Sequence, residues 1–302
     1  MPNNLDAFIP EIWSRRVIQN IDQVNVALAV MCNTDYQGEI SNSGDTVQVR
    51  TYGSITVQDY VRGLPIASES IVPVLESMTI DKAKYFSFDV DQLDAVQNDL
   101  SAVDGYSRRA GIAMSNAIDA YAFGLALAGA GNAVGTAAGP INITKDTDTT
   151  SAYQQIIYAG LKLDQQDVPT TGRWMVVTPY VKSLLVQSTT YLIRASAMGD
   201  AVVESGRPGM TASGAVNRGY IGQIGGFDLW VSNHLPTNGT YWACPYGQGN
   251  PVSYAAQIPA GSFEAIRLQD TFATRIRGLL LHGGKVFTED SKRLGIFYTD
   301  NS

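Results

Sequence analysis

Few side chains in this sequence could perform chemistry, and their spacing supports none of the common reactions. The two histidines, His234 and His282, lie far apart in strand-like runs beside Gly, Asn or Leu, so structural or surface roles are expected for both. The two cysteines, Cys32 and Cys244, are equally distant, which excludes a disulfide framework and argues against zinc. Asp89, Asp91 and Asp94 have the opening spacing of a calcium loop. Leu93 occupies the third ligand position and the loop glycine is missing, so an acidic cluster at a helix start is expected instead. Gly284 and Lys285 form the one Gly–Lys pair, but Val286 stands where a phosphate-binding loop needs Ser or Thr. Gly129, Gly131 and Gly135 miss the dinucleotide-loop spacing by one residue, and they end a predicted helix rather than open one. No nucleophile elbow and no HExxH run occurs. Arg15–Arg16 and Arg108–Arg109 are pairs, not patches, suited to solvated faces or intersubunit ion pairs. No catalytic residue, cofactor-binding residue, metal ligand or cofactor is therefore assigned.

Composition narrows the classes further. The chain has 302 residues, with 45% hydrophobic and only 16% charged, and a formal charge of -7. Its length allows one large domain or two. A charged fraction well under the usual quarter leaves a surface rich in small polar residues, which suits a protein largely covered by other protein. The acidic balance argues against a nucleic-acid-binding domain, because phosphate binding is driven by Lys and Arg. No run of 18 apolar residues is present, so no membrane span is expected, and MPNNLDAFIP lacks the pattern of a secretory leader.

The elements that would position these side chains read as a mixed α+β order. Residues 8–31 form an amphipathic helix with Trp13, Val17, Ile21, Val24 and Leu28 on one stripe, docked either on this chain's core or on a neighbouring subunit. After the turn cluster Ser41–Asp45, alternation over Thr46–Val57 and again over Ile71–Val90 predicts one long hairpin, with its loop around Gly63 and Pro65. Its apolar residues need a partner surface, because two strands alone are marginal in water. Residues 97–129 give the strongest helix signal, with Leu100, Val103, Ala110, Met114, Ala117, Tyr121 and Leu125 on one face; Gly105, Gly111 and Gly124 suggest close packing. A helix to Leu163 follows, with Tyr153, Ile156, Ile157 and Leu161 inward, then a buried strand Trp174–Val177 and a helix from Thr178–Pro179 to Gln187. Residues 195–220 read as loop, Phe227–Ser232 and Thr240–Cys244 as strands, and 252–299 as at least three more.

Three passages carry a resemblance. Arg173 through Pro179 (RWMVVTP), ahead of a short helix with Leu184–Leu185, looks like a strand–Pro–helix segment. Ile221–Phe227 (IGQIGGF) with Val231–Pro236 (VSNHLP) is the second passage, and Gly278–Phe287 is the third. The opening FIPEIWSRRVIQNID is similar to a coat-protein arm. In this order they resemble the tailed-bacteriophage major capsid protein, of the Hong-Kong-phage capsid fold. The resemblance implies an α+β chain with an N-terminal arm at 1–38 and an extended hairpin loop at 39–90. It implies a peripheral domain at 91–139 and 266–302 with a spine helix at 97–129, and an axial domain at 140–265. It further implies hexamers and pentamers forming an icosahedral shell around double-stranded DNA. Expected partners are a separate scaffolding protein, a portal and a decoration protein, with assembly in the host cytoplasm, a virion location and no membrane. Both cysteines would then be free thiols, since such shells assemble in a reducing cytoplasm. No motif carries the family's Lys–Asn crosslinking onto Lys82 or Lys84. An encapsulin-like compartment shell shares the fold and is the alternative; an α+β enzyme is a third reading, disfavoured by the missing catalytic constellation.

Overall fold

A computed structural model gives the fold. It describes residues 25–35, 46–51, 55, 57–60, 62–63, 68, 73–91, 101–144, 150–188, 219–257, 264–269 and 273–300. The expected arm helix up to residue 24, the turn cluster 41–45, Pro65, Asp94, Leu100 and the loop 195–218 lie outside the described residues.

In chain order the elements begin with a short helix α1 (Ala27–Val30) and strands β1 (Cys32–Asn33), β2 (Thr46–Thr51), β3 (Val74–Thr79) and β4 (Lys82–Asp91). The long helix α2 (Ser101–Gly129) leads to β5 (Asn132–Val134), α3 (Ala152–Asp164), β6 (Arg173–Val177) and α4 (Pro179–Gln187). The rest is largely strand: β7 (Tyr220–Ile224), β8 (Phe227–Val231), β9 (Tyr241–Gln248), β10 (Val252–Gln257), β11 (Glu264–Arg267), β12 (Ala273–Val286), helix α5 (Thr288–Ser291) and β13 (Leu294–Asp300).

Two larger sheets share one core. The six-stranded sheet has the order β5-β13-β9-β6-β8-β7. Near its centre is β6, whose five residues Arg-Trp-Met-Val-Val are all buried, as in a strand covered on both faces. Local chemistry punctuates this region as the sequence suggests. The Ser151 side chain accepts a hydrogen bond from Gln154 N to cap α3, and Thr178 does the same for α4 through Val181 N, with Pro179 in the first turn. The five-stranded sheet runs β1-β10-β12-β11, with β4 added to β12. Helix α2 lies over this sheet and places Met114, Ile118, Ala122, Phe123 and Ala126 in the shared core. At its end, a methyl group on Gly129 would run into the Val286 side chain, so the helix meets β12 where only glycine fits.

Several expectations change. The predicted hairpin is real but shorter: β2 pairs with β3 from Thr46↔Thr79 to Thr51↔Val74. The run to Val90 is not one strand. It breaks at Ile80–Asp81, and β4 crosses to pair antiparallel with β12, from His282↔Lys82 to Ala273↔Asp91. Alternation cannot report this, because the period of two continues on both sides of the break. Asp89 and Asp91 consequently lie on a strand, not at a helix start, and Asp89 is held by Arg275 at 2.7 Å. A methyl group on Gly124 would meet nothing within 4 Å, so the tight packing expected there is absent. In α3, Ile156 is buried as expected, but Ile157 and Leu161 face outward. Arg108–Gly129 is long and apolar enough to cross a membrane by length and composition, against the sequence reading; its small and aromatic side chains pack in the protein core. By sheet membership, β10 joins the five-stranded sheet and β13 the six-stranded one.

Candidate assembly surfaces

The sequence assigns no catalytic constellation, and among the described residues no group of three or more His, Cys, Asp and Glu side chains could hold a metal ion. What the structure offers instead is a set of exposed apolar side chains and the joints that position the elements carrying them.

The first joint ties residues 25–27 to helix α2. Asp119, on the long helix α2, is 2% exposed. Its two carboxylate oxygens accept hydrogen bonds from Val26 N and Ala27 N, both at 3.1 Å. One turn earlier, Ser115 Oγ donates to Asn25 Oδ1 at 3.0 Å. A buried carboxylate thus satisfies the orphan N–H groups that open α1, and the chain then continues as β1, parallel to β10. Burial pushes the Asp119 carboxyl up to about 6, and the two backbone hydrogen bonds act against that rise.

The second joint roots the hairpin. Val47, Met78 and Ile80 of the hairpin pack against Ala255 and Phe287 in a small cluster of their own. Where the chain crosses from β3 toward β4 it lies directly on β12: a methyl group at Gly283 would collide with Thr79 O and would sit 2.7 Å from Ile80 Cα. Glu76 reinforces the crossing. Its carboxylate accepts from Thr288 N at 3.2 Å and lies 3.5 Å from Lys285 Nζ, and these partners hold it below the usual carboxylate range even though burial alone would raise it. Beyond this root, Ile55, Val57, Tyr60, Val74 and Leu75 are exposed, Val57 to 94%. The hairpin thus carries apolar side chains that the subunit does not cover.

His282 is fully buried on β12, edge-on to Tyr121 with ring centroids 4.6 Å apart, and neither ring nitrogen has a hydrogen-bond partner. Desolvation, followed by the Lys84 charge, lowers it to about 4, so it is a neutral packing residue. His234 lies at a turn, where its N–H donates to Ser232 Oγ. Cys32 and Cys244 are buried free thiols, and burial pushes Cys244 up to about 12.

The comparisons decide what these surfaces belong to. The family model for phage capsid proteins matches residues 75–292, more than two-thirds of the chain. The chain belongs to the phage capsid protein family. Among solved structures, one from Mycobacterium phage Che8 is 26% identical, with a TM-score of 0.70 and 90% of each chain covered. The capsid of Ralstonia phage GP4 is 15% identical with a TM-score of 0.60, covering 90% of this chain and 86% of that one. A virus-like particle from Pyrococcus furiosus is 8% identical with a TM-score of 0.53, covering 95% and 98%. The last two likenesses show the fold alone. No curated protein sequence matches the chain. As a tailed-phage major capsid protein with the α+β capsid fold, it is a structural component of the virion and assembles into multimeric shells. The sequence passages RWMVVTP and Gly278–Phe287 are β6 with its helix cap and most of β12, each central to one sheet. Sequence reasoning missed Asp119 and Gly283, because neither belongs to a motif; the one available signal was a carboxylate on an otherwise apolar helical face.

Proposed function

We propose that this capsid protein forms hexamers and pentamers that tile an icosahedral shell around double-stranded DNA, acting by assembly and not by catalysis. The observation that carries the reading is the hairpin: a two-stranded projection with Ile55, Val57, Val74 and Leu75 exposed, rooted rigidly on a folded subunit. Two strands are marginal in water beyond their root, so a neighbour that covers such a projection stabilises it. Repeated around closed rings, individually weak contacts become collectively tight, and ring symmetry makes them head-to-tail. The net charge of -7 offers no broad phosphate-binding surface, so the genome is enclosed without sequence reading.

The proposed division keeps an arm at 1–38 and an axial domain within 140–265. The extended loop runs from 39 to about 81, because β4 pairs with β12 and extends the peripheral sheet. A separate scaffolding protein, a portal and a decoration protein are the proposed partners, with assembly in the host cytoplasm. The test is sedimentation and electron microscopy of the pure chain, alone and with its scaffold. Megadalton shells, or capsomers that convert to them, are expected. A monodisperse 32.5 kDa species under every assembly condition overturns the reading.

A further inference from the structure

Helix α3 carries apolar side chains on two opposite faces. Its inner face, Ala152, Ile156, Ala159 and Leu163, is at most 1% exposed. On this face Gly160 lies near the Phe227 ring, where an added methyl group would sit 3.4 Å away. At 100° per residue, Ile157, Tyr158 and Leu161 centre on the reverse side, and they are 42%, 43% and 46% exposed. Gln154 lies between them on that face, but no charged side chain does, whereas the outer face of a monomer's surface helix is normally charged or polar. The thirteen residues of α3 include just two charges. Asp164 is taken by the buried Arg173 guanidinium at 2.6 Å, and Lys162 borders the stripe. Beside Ile157 the β7–β8 turn presents Gly225 and Gly226, so no side chain shields that flank.

We propose that the outer face of α3, centred on Ile157, Tyr158 and Leu161, packs against a second copy of this chain in the assembled shell. The inference rests on the shell-forming reading above and adds a surface to it. Three observations select another copy as the occupant. The stripe carries no run of either charge that would select a nucleic acid or a strongly charged partner, and depletion of charge with aromatic enrichment marks the centre of permanent protein interfaces. The chain builds shells of itself, so its own copies are the surfaces it meets everywhere. Finally, α3 stands on the six-stranded sheet while the hairpin is rooted on the five-stranded one, and a ring closed head-to-tail requires two different contact patches on each subunit.

The experiment uses the full chain carrying Leu161→Cys. Both native cysteines are buried, so a maleimide dye reads the new thiol against a low background. In particles isolated by sedimentation, labelling is expected to be slowed about tenfold or more relative to the free subunit, because a covered face opens only transiently. Ile157→Asp is expected to keep the circular dichroism spectrum and melting temperature of the free subunit and to abolish particle formation. Particles of the Leu161→Cys chain whose new thiol labels as fast as in the free subunit overturn this inference while leaving the shell reading intact, as do normal particles from Ile157→Asp. A wild-type chain that forms no particles overturns both.

Discussion

Two buried titratable side chains pull the pH dependence of stability in opposite directions. His282 is lowered to about 4 by desolvation, with Tyr121 and Tyr254 packed on its ring and Lys84, Lys82 and Asp81 nearby. The unfolded chain takes up its proton first, so stability falls as pH drops from about 6.5 toward 4. Asp119 is raised to about 6, again by desolvation, with Cys32 and Tyr254 as the nearest titratable groups. Here the folded state holds the proton more tightly, so its contribution is fully present below about 4 and is lost as pH rises through 6. Each displacement is about two pH units, on the order of 3 kcal/mol, so the two largely offset between pH 4 and 7. Asp119→Asn should therefore expose an acid-induced loss of stability in the free subunit. His282→Phe should expose the reverse, and it should be no less stable at pH 7, since it removes two unpartnered buried nitrogens. Urea melts from pH 4 to 7 measure this, and unchanged slopes in both variants would refute it. The cysteines give a second residue-scale expectation. Thiol titration should find Cys32 and Cys244 unreactive in the native chain and both free after denaturation, whereas a bridge on non-reducing electrophoresis would contradict the burial of two separate thiols.

At the scale of elements, helix α2 lands on β12 at one of the tight approaches that a glycine permits. Met114 is 6% exposed between the helix and the sheets. Met114→Asp should abolish folding, because an unpaired buried charge costs several kcal/mol against a total margin of about 5–15. A soluble Met114→Asp subunit with a native melt would show the helix is packed otherwise. Gly129→Ala should cost about 1–3 kcal/mol, the range for overpacking, as the new methyl group displaces Val286. Such elements were legible in the sequence where one periodicity and one cap coincide. The helix ending at Gly129 and the Thr178–Pro179 helix start stand where the residues put them, and the strand expected at Trp174–Val177 starts one residue earlier, at Arg173. The break at Ile80–Asp81 was not legible, since no Gly or Pro marks it and alternation passes straight through. Nor was the orientation of α3: with Ile156 and Ile157 adjacent and Leu161 four further on, apolar residues occupy both faces, and periodicity alone cannot say which one meets the sheet. The joint at Asp119 joins residues 92 and 93 positions apart, a separation that no local pattern encodes.

For the molecule as a whole, a low charge density and several uncovered apolar surfaces describe a subunit finished only by its neighbours. The hairpin is the clearest case. Replacing residues 59–68 with a short Gly-Ser turn leaves the root cluster of Val47, Met78, Ile80, Ala255 and Phe287 in place. Subunits of that variant should be soluble with an unchanged melt, yet impaired in forming shells when viewed by electron microscopy. Normal shells from it would mean the projection is dispensable for assembly. Assembly of the wild-type chain should also strengthen with warming and with sulfate, as burial of apolar surface does. A strong weakening by moderate sodium chloride would instead point to charge pairing as the driving contact.

The crossing of Thr79 and Ile80 over Gly283 has a mechanical corollary. The six paired residues of β3 form an arm of roughly 20 Å at about 3.3 Å per residue, so a tilt of about 10° at the root carries the far end through about 3 Å. Geometry at one glycine is thereby amplified at the far end of the projection. A side chain at position 283 that pushed the strand aside by a bond length would act as a misplaced fulcrum, sending every copy's hairpin toward the wrong place on the next subunit while the subunit itself stayed folded.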